Sequence, residues 1–154
     1  MVIPISVIQE HRALGEVIAE FLFNAGYTAQ AADLLQRTLW WGTRVPYWGD
    51  SFVANQVEYR KDTPLQSDIS APAGAQCIIF GLFGVKVLAG GDVIIDPKPL
   101  KWSAQTGLKG LHLRGTSIDI SVDRSSYEVK VGTRTLRAKI GGAVRVHGGE
   151  VSAV

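Results

Sequence analysis

Apolar positions in the first part of the chain recur at helical spacing. Leu14, Val17, Ile18, Phe21 and Leu22 fall at i, i+3, i+4, i+7 and i+8, which predicts one helix over about Ile5 to Asn24. Gly26 supplies a left-handed stop, and Thr28 is a good N-cap residue for a second helix over about Thr28 to Trp41. Ala31, Leu34, Leu35 and Leu39 share one face of that helix, and the short connection makes the pair a helical hairpin. A third helix is expected over about Ala71 to Leu88, opened by Ser70 and Pro72. Its residues Ala73, Ala75, Cys77, Ile78, Ile79, Phe80, Leu82, Phe83 and Val85 surround it on every side. Such a helix needs burial all round, which three helices cannot supply by themselves.

Beyond Gly90-Gly91 the period changes to two. Leu111 and Leu113, then Ile118, Ile120 and Val122, then Tyr127, Val129 and Val131, alternate with polar residues. Leu136, Ala138 and Ile140, and last Val144 and Val146, continue the pattern. Alternation of this kind marks half-buried antiparallel strands. Gly115-Thr116, Asp123-Arg124-Ser125, Gly132-Thr133 and Gly141-Gly142 separate them as hairpin turns. The expectation is a meander of five short strands whose oily face packs on another sheet or on helices, followed by a frayed tail, HGGEVSAV. The fold class expected is therefore α+β, with a helical segment over residues 1–90 and an antiparallel β domain over 91–154.

Composition narrows the classes. An apolar fraction of 46% over 154 residues fits one ordinary domain or two small ones and excludes intrinsic disorder. Sixteen basic residues against 14 acidic ones give a net charge of +2. The basic residues are scattered, so neither nucleic acid nor an anionic membrane is an expected partner. The N-terminus carries Glu10, His11, Arg12, Glu16 and Glu20 where a signal peptide is apolar. No run reaches the about eighteen apolar residues needed to span a bilayer. The chain reads as soluble, or as the tail of a protein whose targeting segment lies upstream. Cys77, the single cysteine, is expected to be a buried free thiol.

The order of these parts resembles the end of a six-hairpin glycosidase, the (α/α)6-barrel clan of disaccharide phosphorylases, rhamnosidases and related hydrolases. FLFNAGYTAQAADLLQRTL looks like an inner barrel helix, a turn and an outer helix; APAGAQCIIFGLFGV looks like the last inner helix. GGDVIIDPKPLKWSAQTGLKGLHLRGTSIDISV is similar to the junction where such enzymes leave the barrel for a C-terminal β-sandwich cap. The matching positions are Val93 to Ile95, Pro97, Pro99, Trp102, Leu111 to Gly115 and Ile118 to Val122. The resemblance covers roughly residues 5–140. It implies a C-terminal portion of a carbohydrate-active enzyme, with carbohydrate and a missing upstream barrel or partner chain as its partners and no cofactor. The general acid of the clan lies earlier in the barrel, and no residue here matches it, so the isolated chain is expected to be inactive.

In such a barrel the substrate lies among loops that precede the inner helices, and Gly42 to Ser70 is that kind of loop. Trp48, Asp50, Glu58, Tyr59 and Arg60 are the residue types that bind sugars, through aromatic faces and charged groups making several hydrogen bonds at once. The alternative is structural: Tyr47, Trp48 and Phe52 pin the loop while Asp50 caps a turn. Asp50, Glu58, Asp62 and Asp68 are candidates for a paired-carboxylate arrangement. Asp62, before Thr63-Pro64, also reads as a turn residue, and Asp68 as a residue favouring the dipole of the third helix. Glu10 and His11 either face the same pocket or are ordinary helix surface. His112 and His147 stand isolated, no pair has metal-ligand spacing, and no nucleophile elbow, phosphate loop or dinucleotide fingerprint occurs. Trp40-Trp41 is expected to pack between layers. The other functional classes open to this sequence are a non-catalytic carbohydrate-binding module and a structural interaction domain completed by a partner chain.

Overall fold

A computed structural model describes residues 12–45, 51, 53, 56–62 and 70–154, and of residues 12–14, 70 and 71 the backbone alone. The start of the first helix, Glu10, His11, Tyr47, Trp48, Asp50, Phe52 and Asp68 therefore lie outside the described residues. The chain is α+β, with helices followed by two antiparallel sheets of four strands each. It divides into two compact units, Met1–Ile78 and Ile79–Val154.

In the first unit α1 (Arg12–Asn24) and α2 (Thr28–Arg44) form the expected hairpin. Gly26, at φ +84°, ends α1. Its N–H donates to the Phe23 carbonyl at 3.1 Å and that of Tyr27 to the Leu22 carbonyl at 2.8 Å, the paired bonds of a Schellman motif. Thr28 is not the cap of α2: it is the first helical residue, and Tyr27 stands at the N-cap with no side-chain bond. The buried face of α1 is rotated from the expected stripe, whereas that of α2 keeps Ala31 and Leu35 as expected, with Thr38 buried in place of Leu39. Glu16, Ala19 and Phe23 are buried on α1, and Ala31, Leu35 and Thr38 on α2, whereas Val17, Phe21 and Leu39 are exposed. Small residues at Gly15, Ala19 and Ala31 let the two helices approach along this face, which turns the larger apolar stripe of α1 outward.

The third helix is shorter than its apolar run. α3 (Ser70–Gln76) packs on α1 and continues as a π-helical stretch, Cys77–Leu82, after which Val85–Val87 is a strand, β1. The expected helix to Leu88, buried on every side, is thus replaced by a helix-to-strand switch, with Ala75 exposed and Ile78, Ile79 and Phe80 half-buried. Gly84 is the reason. It sits at φ +59°, where a Cβ would lie 2.0 Å from the Asp96 carbonyl oxygen. The helix-end carbonyls are also drawn to the following segment: Lys98 N–H donates to Leu82 at 2.8 Å and Asp96 N–H to Gly84 at 3.3 Å. β-Branched Val85 and Val87 then favour the extended form.

The second unit is built from two sheets. β3 (Thr106–Leu113), β4 (Thr116–Val122), β5 (Ser126–Val131) and β6 (Arg134–Lys139) form an up-and-down meander. The fifth expected strand leaves it. β7 (Val144–His147) pairs with β2 (Val93–Ile95), which pairs with β1, giving the order β1-β2-β7-β8. The C-terminal residues are not frayed: Glu150–Ala153 is β8, joined to β7 through Gly148-Gly149, whose φ of +53° and +82° are those of a type I′ turn. The core comes from the alternating residues of both sheets: Ile118, Ile120, Val122, Val129 and Val131 from one, Val85, Val93, Ile95, Val144 and Val146 from the other. Tyr127 ties the two together. Its ring is buried on β5, and its hydroxyl is shared between the carbonyls of Ile95 at 3.0 Å and Gly142 at 2.6 Å. That bond holds the Gly141-Gly142 turn where the chain crosses from one sheet to the other. Burial first, and then the charge of Asp96, push the Tyr127 phenol up to about 12. In β3 a bulge between Leu108 and Leu111 breaks the register, and Asp119 Oδ1 accepts the Gly110 N–H there at 2.8 Å.

Candidate functional site

Three backbone hydrogen bonds join the described residues of the loop after α2. Val53 N–H donates to the Glu58 carbonyl at 2.9 Å, Arg60 N–H to Ser51 at 2.9 Å, and Gln56 N–H to Val53 at 3.2 Å. Extended backbone sends successive side chains to opposite sides. Tyr59 therefore turns inward, 2% exposed, in a cluster with Val45 and the partly buried Trp41. Glu58 and Arg60, on the other side, face solvent. Of the five candidate sugar contacts, Trp48 and Asp50 lie outside the described residues. Glu58 and Arg60 share an exposed surface, and Tyr59 anchors it from below.

The charges on that surface are paired locally. Arg60 grips Asp62 with two hydrogen bonds, Nε to Oδ1 at 2.9 Å and Nη2 to Oδ2 at 2.5 Å. Lys61 Nζ lies 3.4 Å from Glu58 Oε1. The Arg60 bond is the main cause that holds the Asp62 carboxyl below the usual carboxylate range. Asp62 is consequently ionised at neutral pH and suited to accept hydrogen bonds rather than to donate a proton. The fork formed with Arg60 offers charged donors and acceptors within two residues of each other. That is binding chemistry: each carboxylate of this surface is held by a neighbouring cation, Asp62 by Arg60 and Glu58 by Lys61.

Two features of the helices escape a reading of spacing. Trp40, expected between layers, is 44% exposed. Trp41 meets it edge to face, with centroids 5.7 Å apart and planes at 86°, and the Arg44 guanidinium lies 5.2 Å from its ring centre. Glu16 is the second. It is 1% exposed on the α1 face that carries Ala19 and Phe23, at spacings of three and seven residues, so it belongs to the buried stripe by position while its charge argues for the surface. Burial, with Glu16 and then Glu20 adding, pushes the Cys77 thiol up to about 12. Cys77 is buried and free, as expected.

In the second unit the histidines are not equivalent. His112 Nδ1 contacts the Gly110 carbonyl at 2.9 Å beside the bulge. His147, expected to stand alone, has Nδ1 2.6 Å from Asp92 Oδ1. Among the described residues no group of three His, Cys, Asp or Glu side chains is arranged to hold a metal, and no helix is long and apolar enough to cross a membrane. No protein-family model, curated protein or solved structure matches this chain.

Proposed function

We propose that the chain is the C-terminal part of a glycosidase-like enzyme of the six-hairpin type, inactive by itself. Its helical hairpin lines a barrel wall, its 42–70 loop contributes to a sugar pocket, and its β unit forms the cap. The observation that supports this most is the outward apolar stripe of α1. Val17 and Phe21, one turn apart, are 49% and 68% exposed. An amphipathic helix packed on both sides in an α/α barrel would cover such a stripe, and a single hairpin leaves it open. The charged fork of Glu58, Arg60 and Asp62, with the exposed Trp40 ring carried by the same unit, agrees in residue type with sugar binding.

A second reading, a structural interaction domain completed by a partner chain, is favoured by one feature: Tyr59, the aromatic centre of the described loop, is buried rather than presented. The first reading is tested by light scattering combined with a thermal melt on the purified chain. Self-association or a non-cooperative melt of the helical unit agrees with it. A monomer with one sharp two-state transition refutes it.

A further inference from the structure

The outward face of the β1-β2-β7-β8 sheet carries a polar cluster that the proposed function does not use. β7 alternates strictly, Val144 and Val146 inward and Arg145 and His147 outward. Opposite them on β8 stand Ser152, registered with Arg145, and Glu150, registered with His147. Asp92 reaches in from the turn before β2. Its Oδ1 is 2.6 Å from His147 Nδ1 and its Oδ2 is 3.8 Å from Arg145 Nη1. These side chains, with Gly90 and Val151, line a concavity of about 460 Å³.

We propose that this concavity is a second binding site, for a neutral polyhydroxylated ligand, a saccharide. Charge complementarity favours a neutral polar ligand. Two carboxylates, Asp92 and Glu150, are balanced by Arg145 and by Arg134, whose Nη1 lies 2.9 Å from Glu150 Oε1, so neither an anion nor a cation meets a single sign of charge, and no three-ligand metal set occurs among the described residues. A sugar hydroxyl both donates and accepts, so it can use an acidic and a basic group together. The 2.6 Å contact of Asp92 Oδ1 with His147 Nδ1 fixes the ring and leaves Nε2 as the ring nitrogen open to a ligand hydroxyl, which can either donate or accept. Asp92 is itself held between His147 and Arg145, so acceptor and donor are positioned before a ligand arrives. Gly90 adds no side chain to the rim. The inference rests on the carbohydrate reading only for the ligand class, since the geometry belongs to the β unit alone.

Deuterium exchange of the full chain at micromolar concentration, with and without millimolar maltotriose or cellotriose, tests it. Saturable protection in peptides covering residues 86–92 and 144–153 is expected with at least one of the two sugars. Arg145→Ala and His147→Ala should each weaken it roughly tenfold or more, with wild-type exchange elsewhere in the unit. Protection confined to residues 51–62 would overturn this site and leave the loop's sugar contact standing. Protection of the cluster by inorganic phosphate or magnesium but by neither sugar would overturn it as well, as would no protection at all. A failure of the barrel reading appears separately, in the scattering and melt.

Discussion

Replacing Gly84 by alanine isolates the point at which helix gives way to strand. Two costs arise there. An alanine at φ +59° pays the left-handed penalty of about 1–2 kcal/mol. Its Cβ would also lie 2.0 Å from the Asp96 carbonyl oxygen and 2.7 Å from the Asp96 carbonyl carbon, both backbone atoms that cannot swing aside. Relieving that overlap requires β1 and the Asp96 segment to separate by about an ångström, an overpacking cost of about 1–3 kcal/mol. The Asp96 N–H to Gly84 bond would then be lost, at about 1 kcal/mol. The expected destabilisation is about 3–6 kcal/mol. Gly148→Ala is the control: φ is +53° and nothing lies within 4 Å of its Cβ position, so only the conformational penalty of about 1–2 kcal/mol applies. Hydrogen exchange at Ile118, Ile120 and Val129 reads the stability of the β unit in both variants. If the two lose stability to within about 0.5 kcal/mol of each other, the close approach at Gly84 carries no cost and the account of the switch is wrong.

Further outcomes follow from two buried groups, Tyr127 and Cys77. Tyr127→Phe leaves the Ile95 and Gly142 carbonyls without their shared donor and should cost about 1–3 kcal/mol in urea unfolding. Because the folded phenol is pushed up to about 12 from an ordinary value of 10, its stabilisation is complete below pH 10 and is lost as pH rises from 10 through 12. The gap between wild type and Tyr127→Phe should therefore narrow across that window, and a constant gap would contradict the burial of the hydroxyl. Cys77, pushed up from 9.0 to about 12, should react with a thiol reagent at pH 8 on the order of a thousandfold more slowly in the native chain than in urea. Glu16→Gln should lower the thiol's pKa and speed the native reaction by less than that factor, since burial is the larger cause; no change would place Glu16 away from Cys77.

How much of this was legible in the residues differs by element. The helix pair and strands β4 to β6 are written in periods that local geometry enforces, and Gly26 marks a real stop. Which face of α1 is buried is not so written. The choice between Phe21 and Glu16 depends on how closely Gly15, Ala19 and Ala31 let helices approach, and that is a tertiary effect overriding hydrophobicity. The apolar run from Ala73 to Val85 fits a helix or a strand, and its switch depends on Asp96, twelve residues beyond Gly84. β7 alternates like its neighbours, so its sequence does not say that its partner is β2 rather than β6; the crossover is fixed by long-range contacts such as the Tyr127 hydroxyl bonded to Ile95 of β2 and to Gly142 before β7. In the candidate site Glu58, Tyr59 and Arg60 are adjacent in sequence, yet a period of two puts the aromatic ring on the opposite side from the charges. The Asp92–His147 contact joins residues 55 apart in sequence, a pairing that no spacing rule detects.

The bulge in β3 has a consequence for how this protein meets its neighbours. A strand on the margin of a sheet offers unpaired backbone groups to any other extended chain. β3 interrupts that offer at Gly110, where Asp119 occupies the amide and the strand kinks. β6, the other margin, carries Arg134, Arg137 and Lys139 along six residues, and β1 is only three residues long. Ribbon-to-ribbon growth is thus discouraged on three of the four margins of the two sheets, so a contact made there would rest on side chains, which detergent or dilution can separate where a cross-β contact could not be undone.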